Sequence, residues 1–166
     1  MRRIALMLTS AALLAGLTVG PVAARQPGST IVDTAIAVNG ATGEFDHLIA
    51  AVVRTGLVGT LDGRRQFTVF APTDAAFEEL FDVLGVSGVD DIPVGTLRSV
   101  LLYHVAPGDR SSTDVLASSR IRTLSKQFLR PSVQGGNAYI EDARIVAADV
   151  DTSNGVIHVI DSVLLP

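Results

Sequence analysis

A chain of 166 residues with 48% hydrophobic content is large enough to bury one sizeable core, and it carries 13 basic residues against 17 acidic ones. A formal net charge of −4, with no basic run to track a phosphate backbone, excludes nucleic acid as the expected partner. Cysteine is absent, so disulfides and a lipid-bearing cysteine are excluded and stability has to come from burial.

The chain opens on the basic Met1-Arg2-Arg3, followed by an apolar run from Ile4 to Val19. Val22-Ala23-Ala24 supplies the small residues a signal peptidase needs, so residues 1–24 are expected to be a signal peptide cleaved after Ala24. A membrane anchor is the alternative. It is disfavoured because the run is near the minimum spanning length and no stop-transfer flank follows. Taking Arg2 and Arg3 from the 13 basic residues leaves 11 against 17 acidic ones, a net charge of −6 for the mature chain. Residues 25–28 read as a short leader and 29–166 as one domain, secreted to the periplasm or beyond, with no stable membrane span.

Thr30 with Asp33 is a capping-box pattern, and Ile31, Val32, Ala35 and Ile36 share a helical face that Asn39-Gly40 is expected to end. A second helix is marked by Phe45, Leu48, Ile49, Val52 and Val53, with Gly56 as its stop and His47 off the apolar stripe, exposed. Leu61 to Arg65 reads as a turn and Gln66 to Ala71 as a strand, with Phe67, Val69 and Ala71 on one face and Thr68 and Phe70 on the other. Thr73 or Asp74 can cap a third helix that buries Phe77, Leu80, Phe81 and Leu84. After a loop from Gly85 to Asp91, Pro93 is placed to start a helix burying Leu97, Val100 and Leu101.

Beyond Pro107-Gly108 the character changes. Ser111 with Asp114 can cap one short turn, and five strands are expected at Ile121–Leu124, Gln127–Val133, Ala138–Ile140, Arg144–Val150 and Val156–Leu164. Gly135-Gly136 and Asn154-Gly155 are the hairpin turns between them. Val156 to Ile160 is apolar on both faces except at His158, the pattern of a central strand, with the run Ala143–Val150 as its antiparallel partner. Helices early and strands late predict an α+β domain.

Three segments carry a resemblance. Thr68-Val69-Phe70-Ala71-Pro72-Thr73-Asp74-Ala75-Ala76-Phe77 resembles the first signature of the fasciclin domain, and Asn154-Gly155-Val156-Ile157-His158-Val159-Ile160-Asp161 its second. Leu102-Tyr103-His104-Val105-Ala106-Pro107-Gly108 is similar to that family's tyrosine–histidine segment. The resemblance implies a wedge-shaped α+β domain with a bent two-part β-sheet and a cluster of helices. It also implies a secreted or surface-attached adhesion role, without shared enzymatic activity or cofactor. Tyr103 and His104 match the segment associated with receptor contact, although at least one ring is expected to pack inward behind its helix. Ala147-Ala148-Asp149-Val150-Asp151 matches the integrin-recognition stretch of animal members. It keeps Asp149 and has Val150 where that stretch has isoleucine, which weakens any transfer of integrin binding. Tyr103, His104, Asp149 and Val150 are therefore the candidate partner-binding residues.

The residues themselves offer little catalysis. His47, His104 and His158 have no metal-ligand spacing, no Gly-x-Ser-x-Gly elbow occurs, and Asp74, Asp149, Asp151 and Asp161 form no paired acid–base site. His158 is read as a buried imidazole held by a backbone carbonyl or a carboxylate, with a catalytic or metal role as the alternative. No cofactor is called for. The expected function is an exported non-enzymatic interaction module in cell or matrix adhesion, with a protein or glycan partner on a cell surface or matrix. The alternative is a periplasmic or extracellular glycan- or small-ligand-binding protein using a pocket between helices and sheet. Five percent aromatic residues and no tryptophan make a sugar-stacking platform the weaker case.

Overall fold

The computed structural model describes residues 28–166; the expected signal peptide at 1–24 and residues 25–27 of the leader lie outside them. Helices come first: α1 (Ile31–Thr42), α2 (Asp46–Arg54) and the single turn α3 (Val58–Leu61) precede strand β1 (Phe67–Pro72). The capping box at Thr30 and Asp33 forms as expected. Helix α1 nevertheless runs past Asn39-Gly40 to Thr42 and ends on the left-handed Gly43, φ 68°. The reason is where Asn39 spends its amide: its Oδ1 accepts from the Phe45 backbone N–H at 2.8 Å and its Nδ2 donates to Asp46 at 2.7 Å. It therefore joins two helices instead of breaking one.

Helix α4 (Asp74–Leu84) is capped by Thr73, whose hydroxyl accepts from the Ala76 N–H at 3.4 Å. The Asp74 carboxylate is used elsewhere. It accepts from the backbone N–H groups of Asp46 at 3.1 Å and His47 at 2.8 Å, capping the start of α2 from another helix. His47 is correspondingly half-buried, its ring edge-on to Phe81 with centroids 5.1 Å apart, rather than exposed. Val53 (61% exposed) and Leu84 (51%) stand outside the core their stripes were expected to join. A 3₁₀ turn, Val89–Asp91, leads to α5 (Val94–Tyr103), and Arg54 clamps that turn by donating to the carbonyls of Val89, Asp90 and Ile92.

The remaining elements are β2 (Val105–Pro107), α6 (Ser112–Ala117), β3 (Ile121–Arg122), β4 (Phe128–Leu129), β5 (Pro131–Gln134), β6 (Asn137–Ile140), β7 (Ala143–Thr152) and β8 (Gly155–Ile160). Six strands form one curled sheet in the order β2-β1-β8-β7-β6-β5, and β3 pairs with β4 separately. The strand expected from Gln127 to Val133 is thus two strands, divided where Arg130 donates its N–H to Glu141 and Pro131 has none to give. Strand β2 follows the helix too closely to show as a separate run. The last strand stops at Ile160 because the Asp161 carboxylate accepts from the Arg144 N–H at 2.8 Å and closes the ladder.

Strand β8 is central: it pairs in parallel with β1 and antiparallel with β7. The two faces of β1 and β8 serve two cores. Phe67, Val69, Ala71, Ile157 and Val159 meet Phe77, Phe81, Leu97 and Leu101 of the helices. Phe70 and Ile160 meet Tyr103, Ile121, Leu129 and Ile140 on the other side. The turn between β7 and β8 falls at Ser153-Asn154, since Thr152 is paired with Gly155. Gly155 is already a strand residue, at φ 150°, and a Cβ there would lie 1.8 Å from the Phe67 carbonyl oxygen. Only glycine lets β1 and β8 approach this closely.

Ile157 and Ile160, 4% and 0% exposed, face opposite cores. Replacing either with alanine is expected to cost about 2–5 kcal/mol in urea unfolding, and a loss under about 1 kcal/mol in both would contradict two packed faces.

Candidate functional site

The four residues singled out by sequence fall into two groups around β1 and β8. Tyr103 and His104 end α5 and point inward, 6% and 1% exposed. The Tyr103 hydroxyl donates to the Phe128 carbonyl at 3.3 Å, and burial followed by the nearby Glu141 raises its pKa. The His104 Nδ1 hydrogen points to the Val100 carbonyl at 2.8 Å, while Nε2 accepts from the Leu164 N–H at 2.9 Å. That arrangement requires the neutral Nδ1–H tautomer. Burial pushes the His104 pKa down to about 4.

His158 makes the mirror-image choice. Its Nε2 hydrogen points to the Arg110 carbonyl at 3.0 Å, and Nδ1 accepts from the Asp149 N–H at 3.2 Å. The ring stacks on Phe70 with centroids 5.6 Å apart, and burial lowers its pKa as well. Both histidines are thus buried imidazoles whose four hydrogen bonds all go to backbone groups. Neither has a serine hydroxyl or a carboxylate among its hydrogen-bond partners. Among the described residues no three His, Asp or Glu side chains converge to hold a metal ion.

Asp149 lies on an irregular stretch of β7, where the register with β8 shifts between Ile145 and Ala147 and again between Ala147 and Val150. It has φ 58°, a left-handed conformation that an Asp tolerates better than most residues. Its carboxylate accepts from the Ser112 N–H at 2.7 Å and the Ser112 hydroxyl at 2.5 Å, tying the bulge to the start of α6. Burial works to raise its pKa; the two Ser112 hydrogen bonds and nearby His158 outweigh it and hold the carboxyl below its usual range. Val150 is half-buried and packs on the helix-side core. What remains open is the short run Val146 to Asp149, all four exposed. The bulge and the tyrosine–histidine pair are not one site.

The sequence pattern of the fasciclin domain matches residues 43–166, from the end of α1 to the end of the chain. The chain belongs to the fasciclin domain family. It is 37% identical over 156 residues to protein sll1483 of Synechocystis, covering 87% of this chain and 77% of that one. It is 36% identical to the immunogenic protein MPB70 of Mycobacterium bovis, covering 68% of this chain and 56% of that one. It is 33% identical to the transforming growth factor-beta-induced protein ig-h3 of Sus scrofa, of which it spans only 18%. The FAS1 domain pair of the insect cell adhesion molecule fasciclin I superposes with a TM-score of 0.69 at 19% identity, over 84% of this chain and 52% of that one. That likeness concerns the fold.

Within the fasciclin fold the three signature segments become neighbours. Leu102–Gly108 supplies β2, Thr68–Phe77 most of β1 and the start of α4, and Asn154–Asp161 supplies β8, so the strands stand side by side as β2-β1-β8. The residue that sequence reasoning undervalued is Asn154. It is 6% exposed; its Oδ1 accepts from the Ile31 N–H at 2.8 Å, and its Nδ2 donates to the carbonyls of Leu61 at 2.6 Å and Gly63 at 3.0 Å. Nothing local in the sequence marks those partners, which lie roughly a hundred residues away along the chain.

Because folding lowers the pKa of His104 from 6.5 to about 4, the native state favours the neutral ring and the unfolded chain binds the proton first. The associated stability is complete above pH 6.5 and is lost as pH falls toward 4, by roughly 3 kcal/mol at 1.36 kcal/mol per unit. Urea unfolding from pH 7 to 4 should show this slope, and His104→Gln should reduce it, leaving the part due to His158, whose pKa burial also lowers. A wild-type protein equally stable at pH 6.5 and 4.5 would contradict the neutral tautomer.

Proposed function

We propose that this fasciclin domain is an exported, non-enzymatic interaction module that attaches its source cell to a protein on another cell surface or in a matrix. The observation that carries the reading is the match of one fasciclin domain to residues 43–166, shared with a fold neighbour named as a cell adhesion molecule. Two further observations support it. The relatives include MPB83 of Mycobacterium bovis, a cell surface glycolipoprotein 34% identical over 112 residues. Both buried histidines spend their ring nitrogens on backbone hydrogen bonds, which supports the non-enzymatic reading. The apolar run at residues 4–19 and the small residues before Arg25 favour export.

The contact surface in this reading is Val146 to Asp149. Tyr103 and His104 act beneath the surface, holding α5 and the chain end in place. The run offers mostly small and apolar side chains on a bulge tied to α6, which suits the close approach of a protein better than the stacking a glycan needs. Asp149 keeps its charge, which the two Ser112 hydrogen bonds stabilise while they fix the shape of the bulge.

A strain lacking the protein should attach less well to surfaces and cells, and the wild-type chain should restore attachment. Ala148→Arg, at an exposed position, should fold normally yet weaken partner capture on the order of tenfold, about 1.4 kcal/mol. Undiminished attachment by the deletion strain would remove the adhesion reading. Undiminished capture by Ala148→Arg would move the contact surface elsewhere.

A further inference from the structure

Between α1, α2, α3 and the helix-facing side of β1 and β8 lies a cavity of about 160 Å³. Its walls come from Ile31, Val32 and Ala35 of α1, Leu48 and Val52 of α2, and Ile157 of β8, among others. Of all its lining residues only His104 has a polar side chain, and both of that ring's nitrogens already have backbone partners. Native cores seldom leave a void larger than a water molecule. An apolar cavity of about 150 Å³ stays dry and holds a benzene-sized guest, because water would find no hydrogen-bond partner there.

The cavity is not sealed. Ile36 and Val53 belong to its lining and are 51% and 61% exposed, so they form a mouth between α1 and α2. Helix α1 closes this side with a single fully buried residue, Ile31. No charged residue lines the cavity, so it holds no counter-charge for a carboxylate, phosphate or ammonium, and it has no free donor or acceptor for a sugar. The exposed part of the mouth is two side chains, far short of the roughly 1,200 Å² that a stable protein–protein contact buries.

We infer that this cavity is a binding site for an uncharged, apolar small molecule, inserted between α1 and α2 with one ring-sized portion fully enclosed. The site is separate from the Val146–Asp149 surface and does not rest on the adhesion reading. Binding fills a void the fold leaves open and ties α1 to the rest of the domain.

The test is a titration of the full chain with N-phenyl-1-naphthylamine, an uncharged two-ring probe whose fluorescence rises in apolar surroundings. The expected result is saturable binding at one site per chain with a rise in Tm. Ala35→Phe, which fills the cavity from α1, and Val53→Asp, which sets a carboxylate at the exposed mouth, should each weaken binding roughly tenfold or more while the unliganded Tm is kept. Two variants guard against one failing to fold. Absence of saturable binding, or undiminished binding by both variants, would overturn the inference. So would binding that falls as the chain self-associates, since the cavity would then belong to a second copy.

Discussion

One buried side-chain amide holds the two ends of this domain together. Asn154 sits in the tight turn between β7 and β8 and bonds to the first residue of α1, to the carbonyl of Leu61 at the end of α3 and to that of Gly63 just beyond it. Its own backbone carbonyl accepts from the Phe67 N–H at 3.1 Å, setting where β1 begins beside β8. A buried amide with partners at both ends costs little to bury and much to lose. Gly155 supplies the complementary constraint, since no other residue lets the Phe67 backbone come as near. Polar fixation at Asn154 and steric permission at Gly155 together determine the register of the whole β1–β8 pair.

From that register the rest follows. Residues alternate along β1 and β8 between a helix-side core and a second core, so each strand is apolar on both faces. The single polar side chain in the buried run of β8, His158, fits because its ring bridges two backbone groups in the neutral form. His104, between α5 and β2 on the far side of β1, does the same with the opposite tautomer. The histidines that invite a catalytic reading are therefore joints between segments. What the domain presents outward is the exposed run Val146–Asp149 of β7 and the incompletely closed gap beneath α1.

Much of this was legible in the sequence. Strand periodicity assigned Phe67, Val69 and Ala71 to one face and Phe70 to the other, and the capping boxes at Thr30 and Ser111 marked two helix starts. What stayed hidden were contacts made across distance. Asp74 caps a helix that precedes its own, Asn39 links two helices instead of ending one, and β2 gains strand geometry only by pairing with β1. The Glu141 carboxylate, by accepting from the Arg130 N–H, splits a run that alternation alone would keep whole. The candidate contact residues divide for the same reason. Burial of Tyr103 depends on the second core closing over it, where only the inward packing of at least one ring was expected, whereas Asp149 falls within the strand expected at Arg144–Val150, at a bulge that alternation does not mark.

The measurement that bears most directly on this account is urea unfolding of Asn154→Ala, combined with amide hydrogen exchange at Ile31. If Asn154 is the joint described, the variant loses at least about 2 kcal/mol, because several buried backbone groups are left without partners. The Ile31 amide then exchanges through local opening of α1 well before global unfolding. A variant that loses under about 0.5 kcal/mol, with Ile31 as protected as in the wild type, would contradict the claim that this one amide holds the two ends of the domain in register.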